Sequence, residues 1–266
     1  MSLPIKKIYI DTRFKTKDSK SHSDFSIQLP SSYYMPKNTV FYIDSLCVPV
    51  SFYGVQKNRN NLFFFSINGG VLQQYELPEG NYKADLLVGA LVNAINAIRT
   101  NTVTGEFNIE LNYIALTIAA GVNLVIPTDE ELLSTYGKSY PVNSINDVLR
   151  NVVNNQVYNS TTKFQVDYCD FFPIRNLFLT SSNLGNHNTI HAGTGASNIV
   201  KVVSVNTGYN GLLIDHQVLG SDYLDCSGQS LNLLSFKLTN AFGSTIDLNG
   251  NHFSFTIIFS KLNEEN

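Results

Sequence analysis

A mainly β chain, an antiparallel jelly-roll sandwich with an inserted α+β module, is predicted by three features of this 266-residue sequence. Apolar residues alternate with period two near both ends, which buries one face of a strand. One intervening stretch, 73–150, carries helical spacing instead. Asn-Gly and Gly-rich turns separate the alternating runs, as between hairpin-connected strands.

The first strand is expected over 8–10. Phe25, Ile27 and Leu29 then alternate with Ser26 and Gln28, placing one side against a core. Further strand-like runs lie at 40–46, 62–67, 176–179, 199–205, 212–218 and 233–238. In the last run Phe253, Phe255, Ile257 and Phe259 alternate with Ser254, Thr256 and Ser260, and Ile258 is the apolar exception on the outer face. Asn68-Gly69-Gly70, Asn210-Gly211 and Asn249-Gly250 supply residues that tolerate positive φ.

Within the module, Leu87, Leu91, Ala94 and Ile98, flanked by Leu86, Ala90 and Ile95, recur at helical spacing and predict one amphipathic helix over 85–99. A hairpin should follow, with Phe107, Ile109 and Leu111 facing Ile114, Leu116 and Ile118 about a turn at Asn112-Tyr113. Thr128-x-x-Glu131 is a capping box, and Ser144-x-x-Asp147 places an acid at the same offset, so two short helices are expected. Strands on both sides of the module must complete one sandwich: 1–72 and 151–266 form the jelly roll, and 73–150 is the inserted domain.

Composition narrows the function classes. Charged residues make up 15% of the chain, against roughly 25% in an average globular domain. The apolar share, 43%, is ordinary and sufficient for a folded core. A net charge of −3 excludes overall basicity as a nucleic-acid signal. Yet six of the 18 Lys and Arg residues, Lys6, Lys7, Arg13, Lys15, Lys17 and Lys20, fall in the first twenty positions. They read either as a solvated loop or as a basic arm touching packaged DNA. Three cysteines, Cys47, Cys169 and Cys226, have neither disulfide-framework nor metal-site spacing. The longest mainly apolar stretch, 113–127, is broken by Gly121 and Asn123, so no membrane span is expected, and the early residues lack the apolar run of a signal peptide.

Several constellations could carry chemistry on paper. His187-x-x-x-His191 with Asp215 or His216 suggests a cupin-type metal site, but the glycines at 185, 193 and 195 oppose the helix that would put both histidines on one face. Gly193-Thr194-Gly195-Ala196-Ser197 could cradle a phosphate, yet it lacks a P-loop lysine and precedes a strand. Cys226 beside Asp225 could be paired with His216 or His252, without any nucleophile-elbow pattern. Glu130-Glu131 fits an acidic first helical turn better than paired acid/base carboxylates. No catalytic, cofactor-binding or metal-ligating residue is therefore assigned, and the chain is read as a non-enzyme.

The order and spacing of several blocks resemble the penton proteins, the minor vertex capsid proteins, of virophages and Polinton-like viruses, mavirus-like virophages in particular. The blocks begin with Ile8-Tyr9-Ile10-Asp11-Thr12-Arg13 and Ser23-Asp24-Phe25-Ser26-Ile27-Gln28-Leu29, then Phe41-Tyr42-Ile43-Asp44-Ser45 ahead of Val48-Pro49. Asn60-Asn61-Leu62-Phe63, Leu77-Pro78-Glu79-Gly80-Asn81-Tyr82 and the stretch from Ile126-Pro127-Thr128 to Asp147-Val148-Leu149 follow. The last are Pro173-Ile174-Arg175-Asn176-Leu177-Phe178-Leu179, Ser181-Ser182-Asn183-Leu184 and Phe236-Lys237-Leu238-Thr239-Asn240-Ala241. The resemblance implies a jelly-roll subunit that forms homopentamers at the five-fold vertices of an icosahedral DNA virus, beside a double jelly-roll major capsid protein. It implies a virion location after assembly in the host cell, no cofactor and no metal. A carbohydrate-binding jelly-roll host-attachment module is the alternative, and a cupin-like metalloenzyme is a third reading resting on the histidines.

Overall fold

The computed structural model describes residues 4–111, 113–150, 152–184, 189–191 and 195–262. The chain divides into two units, one of Met1–Phe52 with Ile174–Asn266 and one of Tyr53–Pro173.

The first unit is a two-sheet sandwich. Its principal strands are β1 (Pro4–Asp11), β2 (Asp24–Tyr34) and β3 (Thr39–Pro49), then β4 (Asn176–Ser181), β5 (Ile199–Ser204), β6 (Leu212–Asp215), β7 (Ser230–Thr239) and β8 (Ser254–Lys261). One sheet runs β1-β8-β3-β6 and the other β5-β4-β7-β2, with every pairing antiparallel. First thus pairs with eighth, second with seventh, third with sixth and fourth with fifth. That is one long hairpin rolled up on itself, which is jelly-roll connectivity. The second unit occupies the β3–β4 connection, near the tip of the rolled hairpin.

Alternation builds the sandwich core as expected. Phe25 of β2 packs against Phe236 of β7 and Phe253 at ring-centroid distances of 5.7 Å each, and Phe236 meets Phe255 of β8 edge-on at 5.0 Å. These rings come from both sheets and are buried. Ile258, on the outer face, is buried too, flanked in register by Lys7 and Tyr42. Tyr42 packs on Tyr223 at 4.9 Å. At the turn before β8, Asn249 and Gly250 both take positive φ, 49° and 77°. β6 is shorter than the predicted 212–218 run, because the Asp215 carboxylate accepts from the Gln217 N–H at 2.7 Å and turns the chain away. A two-residue strand, Leu224–Asp225, later resumes pairing with β3.

The second unit is wider at both ends than the 73–150 expected from periodicity. Strand Leu62–Ile67, read as part of the jelly roll, pairs instead with Gln73–Glu76 and with Leu124–Val125, which in turn pairs with Val157–Tyr158. Its Phe63 and Phe65, both fully buried and stacked at 5.1 Å, belong to this unit's own core. Alternation marks a buried face but does not say which core covers it. A second sheet runs Phe164–Val166, Tyr113–Ile118, Val103–Asn108.

Helix α1 (Ala84–Ile98) buries Leu87, Val88, Leu91, Ala94 and Ile95. Ile98, expected on that face, is exposed, because the chain leaves the helix there. Asn96 then ties the exit down: its Oδ1 accepts from Thr102 and Val103 N–H at 2.9 and 3.0 Å. The following hairpin is in a different register from the predicted one. Asn108 Oδ1 accepts from the N–H of Glu110 and of Leu111 at 3.0 and 2.9 Å, an Asx-type turn that ends the strand early. Ile109 and Leu111 consequently stand on the turn, exposed, rather than in the strand. The Thr128 capping box is realised in α2 (Asp129–Ser134), with reciprocal bonds to Glu131 of 3.2 and 2.8 Å. The second predicted short helix is only a three-residue 3-10 turn, Ile145–Asp147, since Asp147 turns toward Arg150 (3.7 Å) and Ser144 Oγ accepts from Asn146 N–H alone.

The tightest helix–sheet approach is at Gly105. A Cβ placed there would lie 2.6 Å from Val88 Cγ1 and 2.7 Å from Val92 Cγ2. Both are β-branched side chains with little rotamer freedom in a helix. Gly105→Ala should destabilise the inserted unit by about 1–3 kcal/mol. In hydrogen exchange, α1 amides should lose protection while those of β7 and β8 stay protected.

Candidate functional site

Among the described residues, the candidates nominated by sequence do not converge. His187 lies outside the described residues, as do Gly193 and Thr194. His191 ends the short strand Thr189–His191, which pairs with Gly195–Ser197 in extended conformation. The end of the Gly193–Ser197 stretch is therefore a strand, without the helix N-terminus that a phosphate cradle uses. Asp215, the acid assigned to the histidine pair, is engaged elsewhere, with its Oδ2 3.8 Å from Lys201 Nζ. Among the described residues no group of three or more His, Cys, Asp or Glu side chains is placed to hold a metal ion.

Cys226 is fully buried, and its Sγ donates to the Thr39 carbonyl at 3.5 Å. Burial, and then the neighbouring Asp225 charge, pushes this thiol up to about 12. Asp225 is occupied by Ser227, accepting from its N–H and its hydroxyl at 3.1 and 2.6 Å. Burial pushes Cys169 up to about 11. Neither sulfur is a thiolate near neutral pH, so neither is an activated nucleophile. Glu131 serves the α2 cap and also accepts from Asn155 N–H at 2.7 Å, while Glu130 accepts from Asn154 Nδ2 at 3.2 Å. Both carboxylates hold a helix start in place.

Of the basic segment, Lys6 and Lys7 lie in β1, and Arg13, Lys15, Lys17 and Lys20 lie in the loop between β1 and β2. Asp11 caps its first turn and takes a forked contact from Arg13, with Nη2 at 2.6 Å, which holds the Asp11 carboxyl below the usual carboxylate range. Thr12 exchanges bonds with Phe253, N–H to carbonyl at 3.0 Å and hydroxyl from N–H at 3.0 Å. Further along, Ser26 N–H donates to Ser19 Oγ at 3.0 Å, and Ser21 Oγ accepts from Ser23 and Asp24 N–H at 3.0 Å each. Lys15, Lys20 and His22 line an open groove of about 450 Å³, whose other wall is the 245–251 loop. Lys20 also pairs loosely with Asp24 at 3.6 Å.

Sequence reasoning missed two clusters of buried charge. Lys201 points inward from β5, 7% exposed, and its Nζ donates to the Gln217 carbonyl and pairs with Asp222 at 3.1 Å as well as with Asp215. The ammonium thereby ties the edge of one sheet to the edge of the other. A lysine inside the apolar run Ile199–Ser204 was the available signal. In the inserted unit, Arg150 Nη2 meets buried Asp170 at 3.0 Å. Nearby, burial raises the Asp129 carboxyl, which accepts from Asn146 Nδ2 at 2.9 Å.

The architecture does have a counterpart among solved structures. The mavirus penton protein, seen in a crystal structure of its selenomethionine-labelled form, superposes with a TM-score of 0.52, covering 97% of this chain and 100% of that one at 10% identity. The chain shares the fold of that protein. A chain of the Sputnik virophage, solved by cryo-EM, gives a TM-score of 0.44 at 12% identity, with 96% of this chain and 98% of that one covered. No protein-family model matches the sequence, and no curated protein does. On this fold, the nominated cysteine and paired-carboxylate sites are dispersed among the described residues, and the groups that do cluster are engaged in holding strands and turns together.

Two outcomes follow from the ionisations. With native protein at pH 8, a small thiol reagent should label Cys169 slowly and leave Cys226 unlabelled until the chain unfolds. Mass spectrometry of the digest reads the order. Because the folded state raises Asp129, it binds that proton more tightly than the unfolded chain does. The resulting stabilisation is complete below the ordinary aspartate value and is lost as pH rises through the raised one. Asp129→Asn, which can still accept from Asn146, should remove this fall from a series of urea midpoints measured between pH 3 and 7.

Proposed function

We propose that this chain is a non-enzymatic capsid subunit: a penton whose five copies close the five-fold vertices of an icosahedral DNA virus. The observation that carries the reading is the rolled-hairpin strand order with a unit inserted between β3 and β4, matched over almost the full length of both chains by the mavirus penton protein. Vertex position, pentamer and virion location come from that likeness together with the order of the sequence blocks. The neighbours in the shell are copies of a double jelly-roll major capsid protein, and assembly takes place in the host cell.

The physical chemistry suits a contact role. A subunit that must be soluble and then bury large faces does better with uncharged polar and aromatic surface than with dense charge, because charged side chains are costly to desolvate. The outer face of the β5-β4-β7-β2 sheet has that character, with Ser26 and Ser235 hydroxyls bonded at 2.8 Å across the β2–β7 pair. Lys15, Lys17 and Lys20 supply at most a weak, salt-sensitive contact with packaged DNA. Their loop is stitched to the sandwich and does not extend as an arm.

The test is native mass. The purified chain should sediment at five times 29.6 kDa at micromolar concentration. Replacing residues 53–173 by a short Gly/Ser linker should leave a soluble pentamer, since loop-closure cost changes only logarithmically with length. Truncation before Asn251 removes β8 from the middle of its sheet and should leave insoluble protein. A monomeric intact chain overturns the vertex reading, and a lectin-like module would give a monomer, dimer or trimer that binds glycans.

A further inference from the structure

A closed five-membered ring requires each copy to meet its two neighbours through two different patches, because a five-fold contact is heterologous. The sandwich unit offers two patches, each formed where edge strands of the two sheets come together. β1 and β2 are edge strands, and they meet where Lys6 Nζ stands 3.3 Å over the centroid of the Tyr33 ring. β5 and β6 are the other two edges, joined by Lys201 and Asp215.

Both flanks carry exposed apolar groups, but their charges are opposite. The β1–β2 flank exposes Tyr9 (77%), Phe14 (76%) and Tyr34 (66%). It carries the six cations of the first twenty residues, against Asp11, Asp18 and Asp24. The β5–β6 flank exposes Leu212 (52%), Ile214 (51%) and Leu219 (63%). Its charges are Asp215, Asp222 and Asp225 against the single buried Lys201. Among the described residues β6 pairs with β3 on one side only, and an open edge strand bearing apolar side chains is a liability unless something covers it. Two β1–β2 flanks brought together would repel, as would two β5–β6 flanks. A β1–β2 flank against a β5–β6 flank sets aromatics and cations opposite aliphatics and anions.

We propose that the β1–β2 flank of one copy docks on the β5–β6 flank of the next copy of this same chain, so that opposite charge sets the direction of the ring. The proposal rests on the penton reading and adds to it which surfaces meet.

The experiment uses the full chain with two substitutions at exposed positions, Tyr9→Glu on one flank and Ile214→Glu on the other, followed by sedimentation velocity. Each variant alone should fall from pentamer to single-chain mass. An equimolar mixture at tenfold higher concentration should give a two-chain species and nothing larger, because each pair retains one intact contact between one variant's good flank and the other's. Circular dichroism melts check folding, and Tyr9→Ser with Ile214→Ser replaces any variant that unfolds. A pentameric wild type whose variants also remain pentameric overturns this assignment and leaves the penton reading standing, as does a mixture of monomeric variants that never pair. A wild type that is monomeric at every concentration overturns both.

Discussion

The sandwich depends on four phenylalanine rings. Phe25, Phe236, Phe253 and Phe255 form a continuous contact from β2 and β7 in one sheet to β8 and the residue just before it in the other. Each buried ring contributes about 1.5–3 kcal/mol of transfer free energy, and each well-oriented aromatic pair about 0.5–1.5 kcal/mol more. Because β7 and β8 sit in the interior of their sheets, the rings also hold the strands on which the outer ones align. The edge strands β1, β2, β5 and β6 have one partner side each and are kept in place by that frame. Both the Lys6–Tyr33 contact and the Lys201 cluster lie on those edges.

Much of this was legible in the residues, and the reasons are local. Alternation at Phe25–Leu29 and Phe253–Phe259 predicts a strand with one face on the core, and the structure buries those positions, while in β8 the outward Thr256, Ile258 and Ser260 are buried as well. The Thr128–Glu131 box was legible because both halves of a cap are set by a three-residue spacing. Register in the 103–118 hairpin was not legible: the Asx turn at Asn108 and the predicted Asn112-Tyr113 turn satisfy the same apolar pattern until side-chain bonds to the backbone choose between them. The edge of the inserted unit was misplaced for a related reason, since Phe63 and Phe65 announce a buried face without naming its partner sheet.

The proposed contact surface rests on resemblance rather than on any residue pattern. A contact surface has no fixed spacing of acids, bases or ligands, so periodicity carries no trace of it, whereas Cys226 looks meaningful in a linear reading and is buried in the fold. The Lys201 cluster joins residues 14 and 21 positions apart through a carbonyl and two carboxylates, a geometry that only the folded edge creates. Buried ion pairs of this kind add little net stability over apolar packing, but losing one partner is costly. Here the lysine fixes which chain segment can follow β6, and so the course of 216–223.

The rolled-hairpin pairing also dictates an order of events during synthesis. Ile8 lies opposite Ile257, so β1 finds its partner only after the roughly 250 residues between them have been made. The inserted unit is contiguous, from 53 to 173, and every strand in it pairs within that span. On a ribosome it can therefore complete its core while β1, β2 and β3 still wait with their apolar faces open. A fold with contacts this distant in sequence closes slowly, and its unfinished edges are those most exposed to chaperones or to premature association. The sandwich is thus closed only when β8, eight residues long, joins β1 to β3.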